Sequence, residues 1–573
     1  MHDLVIRGGL VVDGSGGEPV RADVAIVGDR IVAVGPDLGR GAEEIDAAGL
    51  IVTPGFVDLH THYDAQVTWD PILAPTSWHG VTTVVIGNCG VGFAPARPDA
   101  RSWLIEIMED VEEIPRDSME AGLPWDWETF PEYLDALAVR EHTVDIAAQV
   151  PHIALRGYVM GERAERDEPA TAEDLSAMGQ VLEEAMRAGA IGYACSRTDA
   201  HRLKDGQLVP GSFADRGELL AMGDAVGRAG GGQIQYLGNF GDFDTDLPFL
   251  TELSRRSGSS VHFLMSDTNW PSRLAGIDAA AAQGARLVGH FPPRAVGNVL
   301  QWRAGRNPFM DRPSVLALAD LPWPEKLARL SDPAFRAQVL GEGNGDAEAL
   351  LPEFARIIYR GFDRMYEVAD SPDYEPDAAK DSIAARAAQA GQDPAAYAYD
   401  VLMRNGGTGM IYMALANYRA GDLSVVPTLA AHPGTVISLS DGGAHCTRVI
   451  DASAPSFMLA HWARDRKRGE TMPLAEVVKA LSSDPASAYG LADRGLLRPG
   501  MLADINVIDF ANVGLAAPWL EYDLPAGRPR LLQRSEGYAA TIKSGRVTFR
   551  HGEHTGTFPG KVVRRQHVKS GDN

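Results

Sequence analysis

What most constrains this chain is an alternation that runs through its middle. A short, β-rich apolar run is followed by a loop, then by a stretch with apolar residues three and four apart, and the unit repeats. The runs read as strands at Gly55–Leu59, Thr83–Ile86, Asp145–Val150, Ala190–Ala194, Gly232–Tyr236, Ser260–Met265, Arg286–Gly289 and Val436–Leu439. Helical stretches intervene, such as Ala172–Ala188, Glu218–Ala229 and Leu274–Gln283. Eight strands with helical crossovers predict an α/β fold with a parallel sheet, a (β/α)8 TIM-type barrel. An open doubly wound sheet is the competing arrangement.

The ends of the chain follow another pattern. Residues 4–53 alternate short β-rich runs with turns such as Gly8-Gly9, Gly14-Ser15-Gly16-Gly17 and Gly28-Asp29, which predicts a small antiparallel sheet. Asp504–Asp509 and Ala539–Phe549 look the same, so both termini are expected to build one small β domain, residues 1–53 with 485–573. The barrel would then span residues 54–484. Within it, residues 295–400 lose the alternation and become rich in Pro, Trp and charge, as in Asp320-Leu321-Pro322-Trp323-Pro324-Glu325. This reads as a mostly helical insertion after the seventh strand. Long insertions there sit over the C-terminal mouth of a barrel, so a substrate lid is one expectation and a structural or oligomer-forming extension the other.

Composition narrows the partners. With 53 Lys plus Arg against 77 Asp plus Glu, the formal net charge is -24, which disfavours nucleic acid and anionic membrane surfaces. No stretch approaches 18 uninterrupted apolar residues, and the N-terminus lacks the pattern of a signal peptide. Three widely separated cysteines, Cys89, Cys195 and Cys446, imply no disulfide framework and point to a reducing, cytoplasmic setting.

The chemistry collects at the C-terminal ends of the predicted strands. Phe56-Val57-Asp58-Leu59-His60-Thr61-His62 ends an apolar run in two histidines one residue apart. In extended backbone, residues i and i+2 face the same side, so both imidazoles can converge on one metal ion. Cys89 follows the next strand among glycines, and Asp441 ends the last one before Gly442-Gly443. An aspartate there suits both metal ligation and proton transfer, or else caps the following turn. His445 shares that loop and is a candidate substrate contact. His290, at the end of the seventh strand, suits ligation or a structural hydrogen bond equally; His262 lies early in its strand and reads as a core histidine. His152 follows the third strand and could face the mouth.

With these residues the chain resembles the amidohydrolase superfamily, and within it the N-acyl-D-amino-acid deacylase (D-aminoacylase-like) branch. The resemblance covers nearly the whole chain. It rests on Pro54–His62, Gly87-Asn88-Cys89-Gly90, Ser440-Asp441-Gly442, Pro499–Ile505, Tyr522–Gly527 and Thr555–Gly560. It implies a metal-bearing barrel with a β-sandwich shared by the two ends. It also implies a zinc site of His60, His62, Cys89 and Asp441, the cysteine replacing the carboxylated lysine of many amidohydrolases.

The family carries two further histidines, at the ends of the fifth and sixth strands, that complete a second metal position. Here those strands read Gln233–Asn239 and Val261–Asp267, placing Tyr236 or Gln235, and Met265 or Ser266, where histidine is expected. These are much poorer zinc ligands than imidazole. The second position is therefore expected to be lost or rebuilt with His262 or His290, which leaves one or two zinc ions. The family's substrate-gripping lysine has no counterpart either. The implied activity is hydrolysis of a small-molecule carbon–nitrogen amide, such as an N-acyl amino acid, by a metal-activated water with Asp441 as general base and acid. A cyclic amide such as a hydantoin or lactam, and a metal-free non-catalytic homologue, are the alternatives. A homo-oligomer stays open.

Overall fold

The computed structural model describes residues 1–239, 243–345, 356–438 and 440–565. Its centre is a nine-stranded parallel sheet, in which eight strands run in one row, β1 (Phe56–Asp58), β2 (Val81–Ile86), β3 (Asp145–Pro151), β4 (Gly192–Arg197), β5 (Gln233–Gly238), β6 (Ser260–Leu264), β7 (Arg286–Phe291) and β8 (Thr435–Ile437). The C-terminal Val562–Val563 pairs off this row in parallel with β3. The eight strands lie side by side in sequence order, as in a TIM-like domain. Every residue of β2 and β3 is buried, the near-continuous apolar pattern of parallel strands covered on both faces. Just beyond the strand ends, Thr61 pairs in parallel with Gly442. The His62 N–H donates to the Gly442 carbonyl at 2.7 Å, so the first and last strands are joined where the candidate site begins. Leu439, within the predicted eighth strand, lies outside the described residues.

The crossover helices form where spacing predicts them and have clear end signals. The helix Ala172–Ala188 starts from a capping box in which Thr171 and Asp174 satisfy each other's backbone N–H groups. It stops at Gly189, whose φ of 117° a side chain would disfavour. The helices Arg216–Arg228 and Trp270–Ala281 match the other two expectations to within a few residues.

Both termini enter one nine-stranded sheet. Ile51–Pro54 pairs in parallel with His2–Val11 on one side and antiparallel with Ile505–Ile508 on the other. Leu4, Ile6, Val24, Ile26, Val507 and Ile542 form its own apolar core.

Between β7 and β8 the chain is largely helical, as expected, but it also carries an antiparallel three-stranded sheet of Val296–Leu300, Met365–Glu367 and Ile411–Ala416. The segment therefore continues past residue 400. A six-residue apolar run such as Ile411–Ala416 has no periodicity that separates strand from buried helix, so only its partners reveal it. Residues 346–355 of the expected insertion lie outside the described residues. Among the described residues, no helix is long and apolar enough to cross a membrane.

Candidate metal centre

The two histidines after β1 are buried and lie with their rings 5.3 Å apart. They converge as the i, i+2 spacing requires. His60, His62 and Cys89 offer donor atoms that all lie within 4.8 Å of one another. The Sγ of Cys89 is 3.4 Å from the His60 Nε2. Asp441 closes the arrangement from the opposite edge of the sheet, its Oδ1 3.4 Å from the Nε2 of His60 and 3.8 Å from that of His62. The side chain of Asp441 is 18% exposed, whereas both imidazoles are nearly sealed, so solvent reaches the site over the carboxylate.

Local backbone geometry sets these positions. Cys89 sits in the left-handed region at φ 57°, between Gly87 and Gly90, which are also left-handed. A Cβ on Gly87 would meet the Gln149 carbonyl at 2.3 Å, so only glycine lets the loop pass this close to β3. The backbone N–H of Cys89 donates to the Gln235 Oε1 at 2.8 Å. Gln235 thus projects inward from β5, the strand on which the family resemblance expects a histidine.

The electrostatics suit a cation. Burial pushes the His60 imidazole down to about 3 and that of His62 well below its ordinary range, so both are neutral, the form that ligates metal. Burial also pushes the Cys89 thiol up, helped by the carboxylates of Glu112, Asp441 and Asp64. It raises the Asp441 carboxyl to about 8, with Asp451 and Asp58 adding to the effect, and Asp64 to about 7. Several buried acids crowding two neutral imidazoles form a donor set that a divalent ion would relieve, since a nearby positive charge favours carboxylate and thiolate. The Nε2 atoms of His60 and His62 both face the Asp441 carboxyl, the side on which an ion would sit, while their Nδ1 atoms have no hydrogen-bond partner among the described residues. The residues fit a zinc ion.

The other sequence candidates go elsewhere. His290 and His262 bond to each other, Nε2 to Nδ1 at 2.8 Å, and His262 is further held by Gln233 at 2.9 Å and Ser260 at 3.0 Å. Neither joins the converging donors. His152 does not face the mouth: the Tyr193 hydroxyl lies 2.6 Å from its Nδ1, and its Nε2 is 2.9 Å from Glu218. Tyr236 faces the helical layer, where its hydroxyl donates to the Asp246 Oδ2 at 2.7 Å and its ring packs on Phe249, because strand alternation turns Gln235 inward instead. His445 does lie near the site, its Nε2 3.7 Å from Glu112 Oε2.

Glu112 and Asp64 were missed from sequence. For Glu112 a signal exists: Leu104, Met108 and Glu112 recur every four residues along the helix Arg101–Glu112 and are all buried, so an acid falls on its apolar stripe.

Comparisons with known proteins place the chain by family and fold. The chain is 28% identical to the N-acyl-D-glutamate deacylase of Alcaligenes xylosoxydans xylosoxydans, covering 98% of this chain and 96% of that one. It is likewise 28% identical to a D-aminoacylase of the same organism, covering 98% of each. The fold matches the N-acyl-D-glutamate deacylase of Bordetella bronchiseptica, solved with zinc and a phosphonate inhibitor, with a TM-score of 0.63 over 98% of this chain and all of the other at 23% identity. The amidohydrolase family model spans residues 43–549, from the terminal sheet through every strand that carries the converging donors, and with nearly nine-tenths of its length matched the chain belongs to the amidohydrolase family.

Proposed function

We propose that this protein is a zinc-dependent hydrolase of non-peptide carbon–nitrogen amide bonds, acting on N-acyl-D-amino acids. The observation that carries the reading is the convergence of His60, His62, Cys89 and Asp441 at the ends of β1, β2 and β8. The full-length similarity to two D-amino-acid deacylases supports the substrate class. His60, His62, Cys89 and Asp441 would hold one ion. When bound, it would acidify a water from about 15.7 toward 7 and polarise the scissile carbonyl. A second ion is not favoured: Gln235 is committed to the Cys89 backbone, and His262 to His290.

Asp441, the most accessible member of the set, would take a proton from the attacking water and pass it to the departing nitrogen. The buried imidazoles stay neutral and exclude solvent from the inner side of the site. In architecture, we read residues 54–484 as a closed (β/α)8 barrel, supported by the Thr61–Gly442 pairing between its edges. Residues 1–53 with 485–573 would form the accompanying β-sandwich. The segment between β7 and β8 would act as a lid: the Val299 N–H donates to the Arg448 carbonyl at 2.7 Å, seating it on the loop that carries Asp441.

Metal analysis combined with a panel of N-acyl-D-amino acids, N-acyl-L-amino acids and hydantoins tests the proposal. Stoichiometric zinc and release of free D-amino acid are expected, with loss of both activity and thermal stability on chelation. Full activity in metal-free protein, or turnover of the hydantoins alone, overturns it.

A further inference from the structure

We propose that Glu112 is a positioning residue for His62, its carboxylate facing the ring nitrogen that points away from the metal centre. The inference rests on the zinc site proposed above. The Oε1 of Glu112 lies 3.5 Å from the Nδ1 of His62, while the Nε2 of the same ring faces Asp441. The other carboxylate oxygen lies 3.7 Å from the Nε2 of His445. Glu112 therefore sits between an imidazole of the donor set and an imidazole of the loop that carries Asp441.

The placement is specific. The helix Arg101–Glu112 ends there because Glu113 takes a left-handed φ of 54°. Two successive carboxylates consequently diverge. Glu113 turns to Arg306 at 2.8 Å and to Arg448, with its Oε2 3.7 Å from the His445 Nδ1, which ties the helix end to the β7–β8 segment and to the Asp441 loop without reaching His62. Glu112 turns inward and is almost wholly buried. A buried carboxylate on the last turn of a helix is unfavourable twice over: it meets the negative end of the helix dipole, and it leaves water without a cation of its own. The nearby guanidinium of Arg448 is engaged by Glu113. What faces Glu112 at close range is imidazole.

A carboxylate on Nδ1 fixes the His62 tautomer with hydrogen on that atom and the lone pair on Nε2, orients the ring, and raises its basicity toward a metal. The separation exceeds a formed N–H···O bond by about half an ångström, a gap that a small rotation of the carboxylate closes.

The test is zinc affinity, measured by chelator competition on the full chain, with no substrate involved. Glu112→Gln keeps the shape and removes the charge. It is expected to weaken zinc binding about 10- to 100-fold while the far-ultraviolet circular dichroism is retained. Glu113→Gln, one residue along but facing the arginines, is expected to bind zinc in the wild-type range. If Glu112→Gln fails to fold, Glu112→Asp decides, since it keeps the charge but shortens the reach: weaker zinc binding supports the assignment and unchanged binding overturns it. Wild-type affinity in Glu112→Gln, or an equal loss in Glu113→Gln, overturns it too. A wild-type protein that binds no zinc would bring down the proposed function and this inference together. Zinc-loaded wild type with an unaffected Glu112→Gln removes the inference alone.

Discussion

Asp441 stands with its Oδ1 3.4 Å from the His60 Nε2, and its backbone N–H donates to the His60 carbonyl at 3.1 Å. Side-chain chemistry and sheet connectivity therefore share the same two residues. The peptide pairing that joins the edges of the parallel sheet also holds the proposed proton carrier against the first ligand. Such coupling means the site can form only when β1 and β8 have met, so folding and function are tested together at this point.

Asp441→Asn preserves volume and backbone but removes the proton acceptor. A fall in kcat of about 10²- to 10⁴-fold is expected, with the melting temperature near that of wild type. Steady-state kinetics on an N-acyl-D-amino acid with zinc in excess separates loss of proton transfer from loss of metal. Wild-type turnover in this variant removes Asp441 from the mechanism.

Gln235 is expected to matter through Cys89. Its Oε1 is the acceptor for the buried Cys89 N–H, and Gln235→Leu leaves that donor without a partner. A loss of about 1–3 kcal/mol in unfolding free energy is expected from urea titration, together with weaker zinc binding as the thiol shifts. A variant as stable as wild type would mean that the loop carrying Cys89 is held by its glycines alone.

Much of this site could be read before any coordinates. His60, His62, Cys89 and Asp441 each follow an apolar run directly, so sequence position already places them at strand ends, and parallel strands in sequence order bring those ends together. The face of a strand was harder to assign. Tyr236 and Gln235 are neighbours, and a shift of one residue exchanges the inside for the outside. The phenol went to Asp246 and the amide to Cys89. Contacts made across loops were not readable: nothing near His152 announces Glu218, and the apolar stripe that marks Glu112 as buried does not say that it meets His62.

The junction between the terminal sheet and the parallel sheet is expected to be a point of high stability cost. The Nζ of Lys543, fully buried, lies 2.9 Å from Asp504 and 3.0 Å from Asp145 on β3, and Arg494 reaches the same Asp145 at 2.7 Å. Lys543→Met removes one cation from two buried carboxylates, and breaking a buried pair in this way costs about 3–5 kcal/mol. Chemical denaturation should show it directly. The double variant Lys543→Met with Asp504→Asn should recover part of the loss, because it no longer strands the second carboxylate.

Glu218 is expected to make the protein acid-sensitive in a defined range. Burial alone would raise its carboxyl, but the contact with His152 and the charge of Arg156 outweigh it and hold the group down to about 2, against an ordinary value of 4.5. Its Oε1 lies 2.9 Å from His152 and 2.6 Å from Arg156. A group depressed in the folded state adds stability that is fully present above the unfolded value and is lost as the pH falls toward the folded one. The contribution is on the order of 3 kcal/mol, at about 1.4 kcal/mol per pKa unit. Other carboxylates titrate in the same interval, so the informative quantity is the difference between wild type and Glu218→Gln. That difference should be largest and flat above about pH 5 and should shrink steadily as the pH drops below about 4.5. Urea unfolding of both proteins between pH 7 and pH 3 measures it. A difference that stays constant across the whole range would show that Glu218 titrates normally, and that its contact with His152 and its ion pair with Arg156 do not form in solution.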